Sequence, residues 1–287
     1  MKKLLLVAGI FLVLTAFKSD KPAYHLFNAK GKLVKYQKMI NAAKTADVVF
    51  FGELHNNPIA HWLELEVTKS LYKARGGKII EGAEMFERDN QLMLNEYLKG
   101  EITKTYFEQE ARLWPNYKTD YKPLVEFAKK HHIPFIATNI PRRYAGIVYH
   151  HGFKALDSLS AEAKSYIAPL PIPYDPQLKC YKDMLTQMKL MGHGNPNFPK
   201  AQAIKDATMA ASIAKYAGNG KLFIHYEGAY HSDFHQGIVW YLNKYKPGLK
   251  IVTISTVEQK DIDTLARKNL NRADFIIVVP NDMTTTY

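Results

Sequence analysis

Two short segments of this chain share a pattern that could do chemistry: Gly52-Glu53-Leu54-His55 and Gly228-Ala229-Tyr230-His231. Glycine lets the backbone turn sharply, and a histidine just past the turn can then face a common site. Other groups with chemical potential follow other apolar runs. They are Glu81, Glu84, Glu87 and Arg88, then Asn139, Arg142 and Arg143. Two chemistries fit. His55, His231, Glu53 and Glu84 could hold a divalent metal that activates water for hydrolysis. Without a metal, a histidine paired with a glutamate could act as general base. The spacing is not that of a compact zinc motif such as H-E-x-x-H. A third outcome is a site that only holds a ligand, with Arg142 or Arg143 gripping an anionic group. Glu53 could equally cap the next helix. His225, inside an apolar run, suits a satisfied core position better than a ligand role.

What must position these residues is a series of short apolar runs rich in β-branched and aromatic residues. They are Asp47 to Phe51, Lys78 to Glu81, Ile133 to Thr138, Lys221 to Tyr226, Lys250 to Ser255 and Phe275 to Val279. The runs are nearly continuous rather than alternating, as in parallel strands buried on both faces. Helical patterns lie between them: Ala60 to Arg75, Asp89 to Leu98, Tyr121 to His131, Ala201 to Ala217 and Phe234 to Tyr245. Several end at glycine, a common stop signal. The alternation predicts an α/β fold, a central mostly parallel sheet flanked by helices. Ligands of such sheets bind beyond the carboxyl ends of the strands, so this topology would gather the chemical groups on one edge. Residues 146–199 break the alternation. They carry several prolines and a helical pattern with Met184, Met188 and Met191, and read as a helical insertion between the third and fourth runs.

The chain has 287 residues, 47% of them hydrophobic, and a formal net charge of +12. This composition suits a folded protein. Lys2 and Lys3 followed by the apolar run Leu4 to Phe17 read as an export signal, too short to span a bilayer comfortably. The expectation is a signal peptide over residues 1–19 and a single domain over 20–287, periplasmic or secreted. Removing two lysines leaves 12 − 2 = +10, a charge that favours anionic ligands or surfaces. The lysines are scattered, and no arginine-rich stripe or nucleic-acid motif accompanies them, which argues against a nucleic-acid partner. Cys180 is the only cysteine. It rules out an intramolecular disulfide, and no lipid-attachment cysteine follows the signal core.

Taken in order, several segments resemble the ChaN-like haem-binding family of the wider Tiki/TraB superfamily. These are Val48 to His55, Glu84 to Arg88 with Gln91, Trp114, Tyr121 with Pro123, Asn139 to Arg143, Gln202 to Ala210, and Gly228 to His231. The resemblance implies a mostly parallel sheet with helices around it. It implies haem binding in iron acquisition, iron held by a tyrosine, haems sandwiched in a homodimer, and outer-membrane haem-uptake components as partners. Distant superfamily members resemble metal-dependent peptidases or esterases, and by that likeness Glu53, His55, Glu84 and His231 would be catalytic. For haem itself the insertion offers Tyr174 and Tyr181, a soft face of Met184 and Met188, His193 as another axial ligand, and Arg142 for propionates.

Overall fold

The computed structural model describes residues 21–192 and 194–287. The expected export signal lies outside the described residues, and so does His193. The strands are β1 (His25–Asn28), β2 (Val48–Glu53), β3 (Ile79–Glu87), β4 (Phe135–Asn139), β5 (Leu222–Gly228), β6 (Ile251–Gln259) and β7 (Phe275–Pro280). They form one sheet in the order β1-β7-β6-β2-β5-β3-β4. Every neighbouring pair is parallel except β1 with β7. The sheet is therefore mostly parallel, as the runs of apolar residues predict.

Helices cover both faces, which explains the missing alternation. Val49 and Phe51 of β2 pack with α1 (Tyr36–Ala43), α2 (Pro58–Ala74), α3 (Gln91–Lys99), α4 (Lys104–Glu110) and α5 (Lys122–His131). Val48 and Phe50 point the other way. They pack with α6 (Arg142–His151), α7 (Ala161–Ser165), α8 (Lys179–Leu190), α9 (Phe198–Tyr216) and α10 (Ile238–Tyr245). Among the described residues no helix is long and apolar enough to cross a membrane.

Three expectations change in detail. β3 does not stop at Glu81 but continues to Glu87, with its register against β4 shifting between Ala83 and Glu87. Glu84 thus sits on an irregular strand, not in a loop; its polar sequence hid the extension. The insertion expected over about 146–199 begins within α6 and runs to the start of α9. The edge strand β1 went unread because four residues against one partner leave little pattern.

A polar chain crosses the core beneath the sheet edge. The Tyr226 hydroxyl lies 3.1 Å from the Glu81 carboxyl and 2.6 Å from the Thr68 hydroxyl, which donates to the Glu64 carbonyl at 2.7 Å. Burial pushes the Glu81 carboxyl up to about 8, and the Tyr226 contact lowers it only partly. Tyr226 donates to Glu81 and Thr68 to the Glu64 carbonyl, and no cation offsets the burial of the carboxyl, which is therefore largely protonated at neutral pH. Its folded value exceeds its unfolded one, so this group favours folding at acid pH and loses that contribution as pH rises from about 4.5 to 8. Glu81→Gln, an isostere of the neutral acid, should stabilise the fold near pH 7.5 by on the order of 2 kcal/mol and change little near pH 4. Denaturant melts at both pH values check this.

Candidate functional site

From β2 the chain fills the sheet in both directions, with β5, β3 and β4 on one side and β6 and β7 on the other. The carboxyl ends of β2 and β5 therefore border the crevice where ligands of such sheets bind. The two Gly-x-x-His loops meet there. A Cβ added to Gly52 would stand 2.8 Å from the backbone Cα of Ala229, and one on Gly228 would stand 2.8 Å from Cε1 and Nε2 of the His55 ring. Only glycine allows this approach of backbone to backbone. Gly52→Ala should separate the loops and cost about 1–3 kcal/mol as an overpacking change, read as a lower denaturation midpoint.

His55 donates from Nδ1 to Glu53 Oε1 at 2.6 Å, and the Tyr121 hydroxyl donates to the same oxygen at 3.1 Å. The edge of the Trp114 ring packs on His55 with centroids 4.9 Å apart. Glu53 is buried and does not cap α2; Asn57 does, accepting from the amides of Ile59 and Ala60 at 3.1 Å each. Beneath, Asn116 donates to the His55 carbonyl at 2.8 Å, and His61 contacts the same carbonyl at 3.2 Å and Glu64 at 3.0 Å. Burial works against a charged His61, but Glu64, Glu53 and Asp120 outweigh it and raise it to about 9.

On the β5 side, His231 is clamped between two acids. Its Nε2 is 3.2 Å from Glu84 Oε1, and its Nδ1 is 2.5 Å from Asp206 Oδ1. Glu84 Oε2 also accepts the Gly228 amide at 2.9 Å, and Asp206 Oδ2 accepts the Tyr181 hydroxyl at 2.6 Å. Burial disfavours the imidazolium, yet Glu84 and Asp206 raise His231 to about 10. Burial likewise pushes the Glu84 carboxyl up, but His231 and His55 overcome it and hold that carboxyl well below the usual range. His55 is raised for the same kind of reason: Glu53 overcomes the burial penalty. His225 is different. It sits fully buried between Glu227 at 2.7 Å and Thr138 at 2.8 Å, and burial lowers it to about 3, a neutral core histidine.

Glu53, His55, Glu84 and His231 line one cavity of about 1150 Å³, at or above the usual size for small-molecule sites. Its walls include Met184, Met188 and Met191, Trp114, Ile140 and Phe198, with the tyrosines Tyr230 and Tyr287. The strand-end residues and the methionine helix α8, separate features in the sequence, belong to the same site.

The sequence profile described as haem-binding uptake, Tiki superfamily, ChaN matches residues 39–242, well over half of the chain. The chain belongs to this ChaN family. A solved structure of ChaN from Campylobacter jejuni, described as binding haem cofacially, is similar at 16% identity. It aligns over 90% of this chain and 97% of that one with a TM-score of 0.66. The erythromycin esterase EreC, in a mutant form, aligns over 93% of this chain and 100% of its own at 10% identity and a TM-score of 0.50. At those identities the two structures show a shared fold. No curated protein sequence matches.

Placed on the ChaN fold, the haem residues expected from sequence divide. Met184, Met188 and Arg142 line the cavity. Tyr181 and Tyr174 do not. The Tyr181 ring is buried, its hydroxyl is committed to Asp206, and burial pushes its ionisation well above the ordinary value. Tyr174 packs between Phe153 and Tyr181, at centroid distances of 5.5 and 5.6 Å. The tyrosine that reaches the cavity from the Gly-x-x-His loop is Tyr230, 42% exposed, its hydroxyl hydrogen-bonded to the Cys180 carbonyl. Its position inside the second motif was the signal, overlooked beside the histidine. Asp206 was also missed, although an acid on the Ala- and Ile-rich face of α9 is an anomaly that asks for a partner.

The expected divalent metal fits the donor set poorly. Among the described residues no group of three or more His, Cys, Asp or Glu side chains is arranged to hold a metal ion. The reason is visible in the contacts. Both nitrogens of His231 are occupied by acids, its charge is held by them, and His55 Nδ1 is occupied by Glu53. Haem fits better: the cavity is large, one wall is thioether and aromatic, and a tyrosine side chain, Tyr230, lines it.

Proposed function

We propose that this protein binds haem in the cavity at the carboxyl edge of its sheet. Tyr230 would supply the oxygen ligand to ferric iron, and Met184, Met188 and Met191 would line the porphyrin face. The observation that carries the reading is the coincidence, in one cavity, of the methionine helix α8 and an accessible tyrosine, in a chain of the ChaN family. Haem supplies the iron; the protein supplies the pocket, the ligand oxygen and exclusion of water. Burial raises the Tyr230 hydroxyl, so coordination to the ferric ion must provide the charge that releases its proton. A place in iron acquisition, export to the periplasm or outside, a homodimer and outer-membrane uptake partners extend the same reading. Titrating the purified chain with hemin tests its base: a saturable Soret shift is expected, and a purely linear, unsaturable response would overturn it.

A second reading rests on His55. Its Nδ1 is fixed by Glu53, and the rest of the ring faces the cavity, the arrangement of a general base for hydrolysis without a metal. The superfamily's peptidase or esterase activity would then persist here. If so, His55→Ala should lower turnover of a p-nitrophenyl ester about 100-fold or more; wild-type protein no faster than buffer would dispose of this reading.

A further inference from the structure

The ends of the cavity differ in a way the motifs do not record. It spans the carboxyl ends of β4, β3, β5, β2 and β6, about 19 Å at the usual strand spacing. At the β4 end stands Arg142, whose side chain is 81% exposed and lies 3.9 Å from its nearest carboxylate, Glu87. At the other end the connection between β6 and β7 brings Lys268 and Arg272 to the wall.

Arg272 is built in. Its side chain is 23% exposed, Nη1 donates to Asp233 Oδ2 at 2.6 Å, and its guanidinium lies 5.2 Å from the Phe234 ring. Asp233 is itself held by the Ser255 hydroxyl at 2.7 Å. A guanidinium carries five N–H donors, and among the described residues only Nη1 of this side chain has an acceptor. Lys268 forms no ion pair among the described residues. A fixed fork with unused donors beside a second cation is the arrangement that recognises carboxylates.

We propose that this wall is the carboxylate end of the cavity, where Lys268 and Arg272 hold the anionic side groups of a flat apolar ligand. The proposal rests on the haem reading and sharpens it: the two carboxylates of a porphyrin leave one edge of the ring and would face β6 and β7. Glu258 is exposed at the same end, so the wall's net charge depends on Lys268.

The test uses metal-free protoporphyrin IX and its dimethyl ester, both without iron, so that Tyr230 cannot dominate. Binding is read by quenching of tryptophan fluorescence, because Trp114 lines the cavity. Lys268→Glu is expected to weaken the free acid about tenfold or more and leave the diester unchanged. Arg272→Lys keeps the Asp233 pair and should weaken the free acid to a lesser degree, since the fork is lost but not the charge. Equal affinity of Lys268→Glu and wild type for the free acid would overturn the proposal. A wild type that shows a Tyr230-dependent hemin spectrum but no Lys268 effect leaves haem binding standing and removes this subsite. A wild type that binds neither porphyrin nor hemin removes both.

Discussion

Tyr230→Phe should abolish the ligand-to-metal charge-transfer absorption of the hemin complex and weaken hemin binding by at least about tenfold, or roughly 1.4 kcal/mol. The substitution removes one oxygen and keeps the ring. It also removes the hydrogen bond to the Cys180 carbonyl, a half-exposed contact whose loss costs only about 1 kcal/mol. Folding should therefore survive, and the spectrum isolates ligation from stability. Two companion variants test the tyrosines of the insertion, and Tyr287→Phe, at the other tyrosine lining the cavity, should leave the spectrum intact. Tyr174→Phe should leave the spectrum intact, because that ring faces Phe153 and Tyr181 instead of the cavity. Tyr181→Phe should also leave it intact but lower stability by about 1–3 kcal/mol, because buried Asp206 loses a donor. If Tyr230→Phe kept the charge-transfer band while either insertion variant lost it, the axial ligand would lie in the insertion after all.

How much of this site could be read in advance follows from where each signal resides. The convergence of the two Gly-x-x-His loops was legible because strand ends, not loop sequences, decide it; adjacent parallel β2 and β5 had to deliver His55 and His231 to one edge. The mostly parallel sheet was legible from Val48 to Phe51 and the other doubly buried runs. What stayed hidden was pairwise and three-dimensional. Nothing in sequence separates Tyr181 from Tyr230: both precede or follow helical residues, and only the packing of α8 against α9 buries the Tyr181 hydroxyl on Asp206, while the Tyr230 ring lines the cavity with its hydroxyl on the Cys180 carbonyl. Glu84 was found but placed in a loop, because a bulge that keeps a polar residue on a strand has no signature in residue pattern alone. Lys268 and Arg272 were invisible for a related reason. They lie in an irregular connection whose importance comes from reaching around the sheet edge to a cavity formed elsewhere.

The acid–imidazole–acid clamp around His231 governs a second large effect. His231→Ala removes the cation that Glu84 and Asp206 share and leaves two buried carboxylates without their closest counter-charge, which should cost about 3–5 kcal/mol. The pH dependence gives the clamp its signature. His231 titrates near 10 in the fold against 6.5 unfolded. Its stabilisation is therefore fully present below about pH 6.5 and lost as pH rises from there toward 10. In the variant this loss disappears. Glu84 then has only His55 and Lys205 to offset its burial, so its carboxyl moves up and the variant loses less stability than wild type as pH falls. The stability gap between wild type and variant, from urea melts at successive pH values, should be widest near neutrality and shrink both toward acid and toward pH 10. Adding Glu84→Gln to the variant should return part of the loss near pH 7, because one buried charge goes with it. A gap that stays constant from pH 5 to 9 would mean that His231 acts by packing alone and that the charged clamp is not what closes the floor of the cavity.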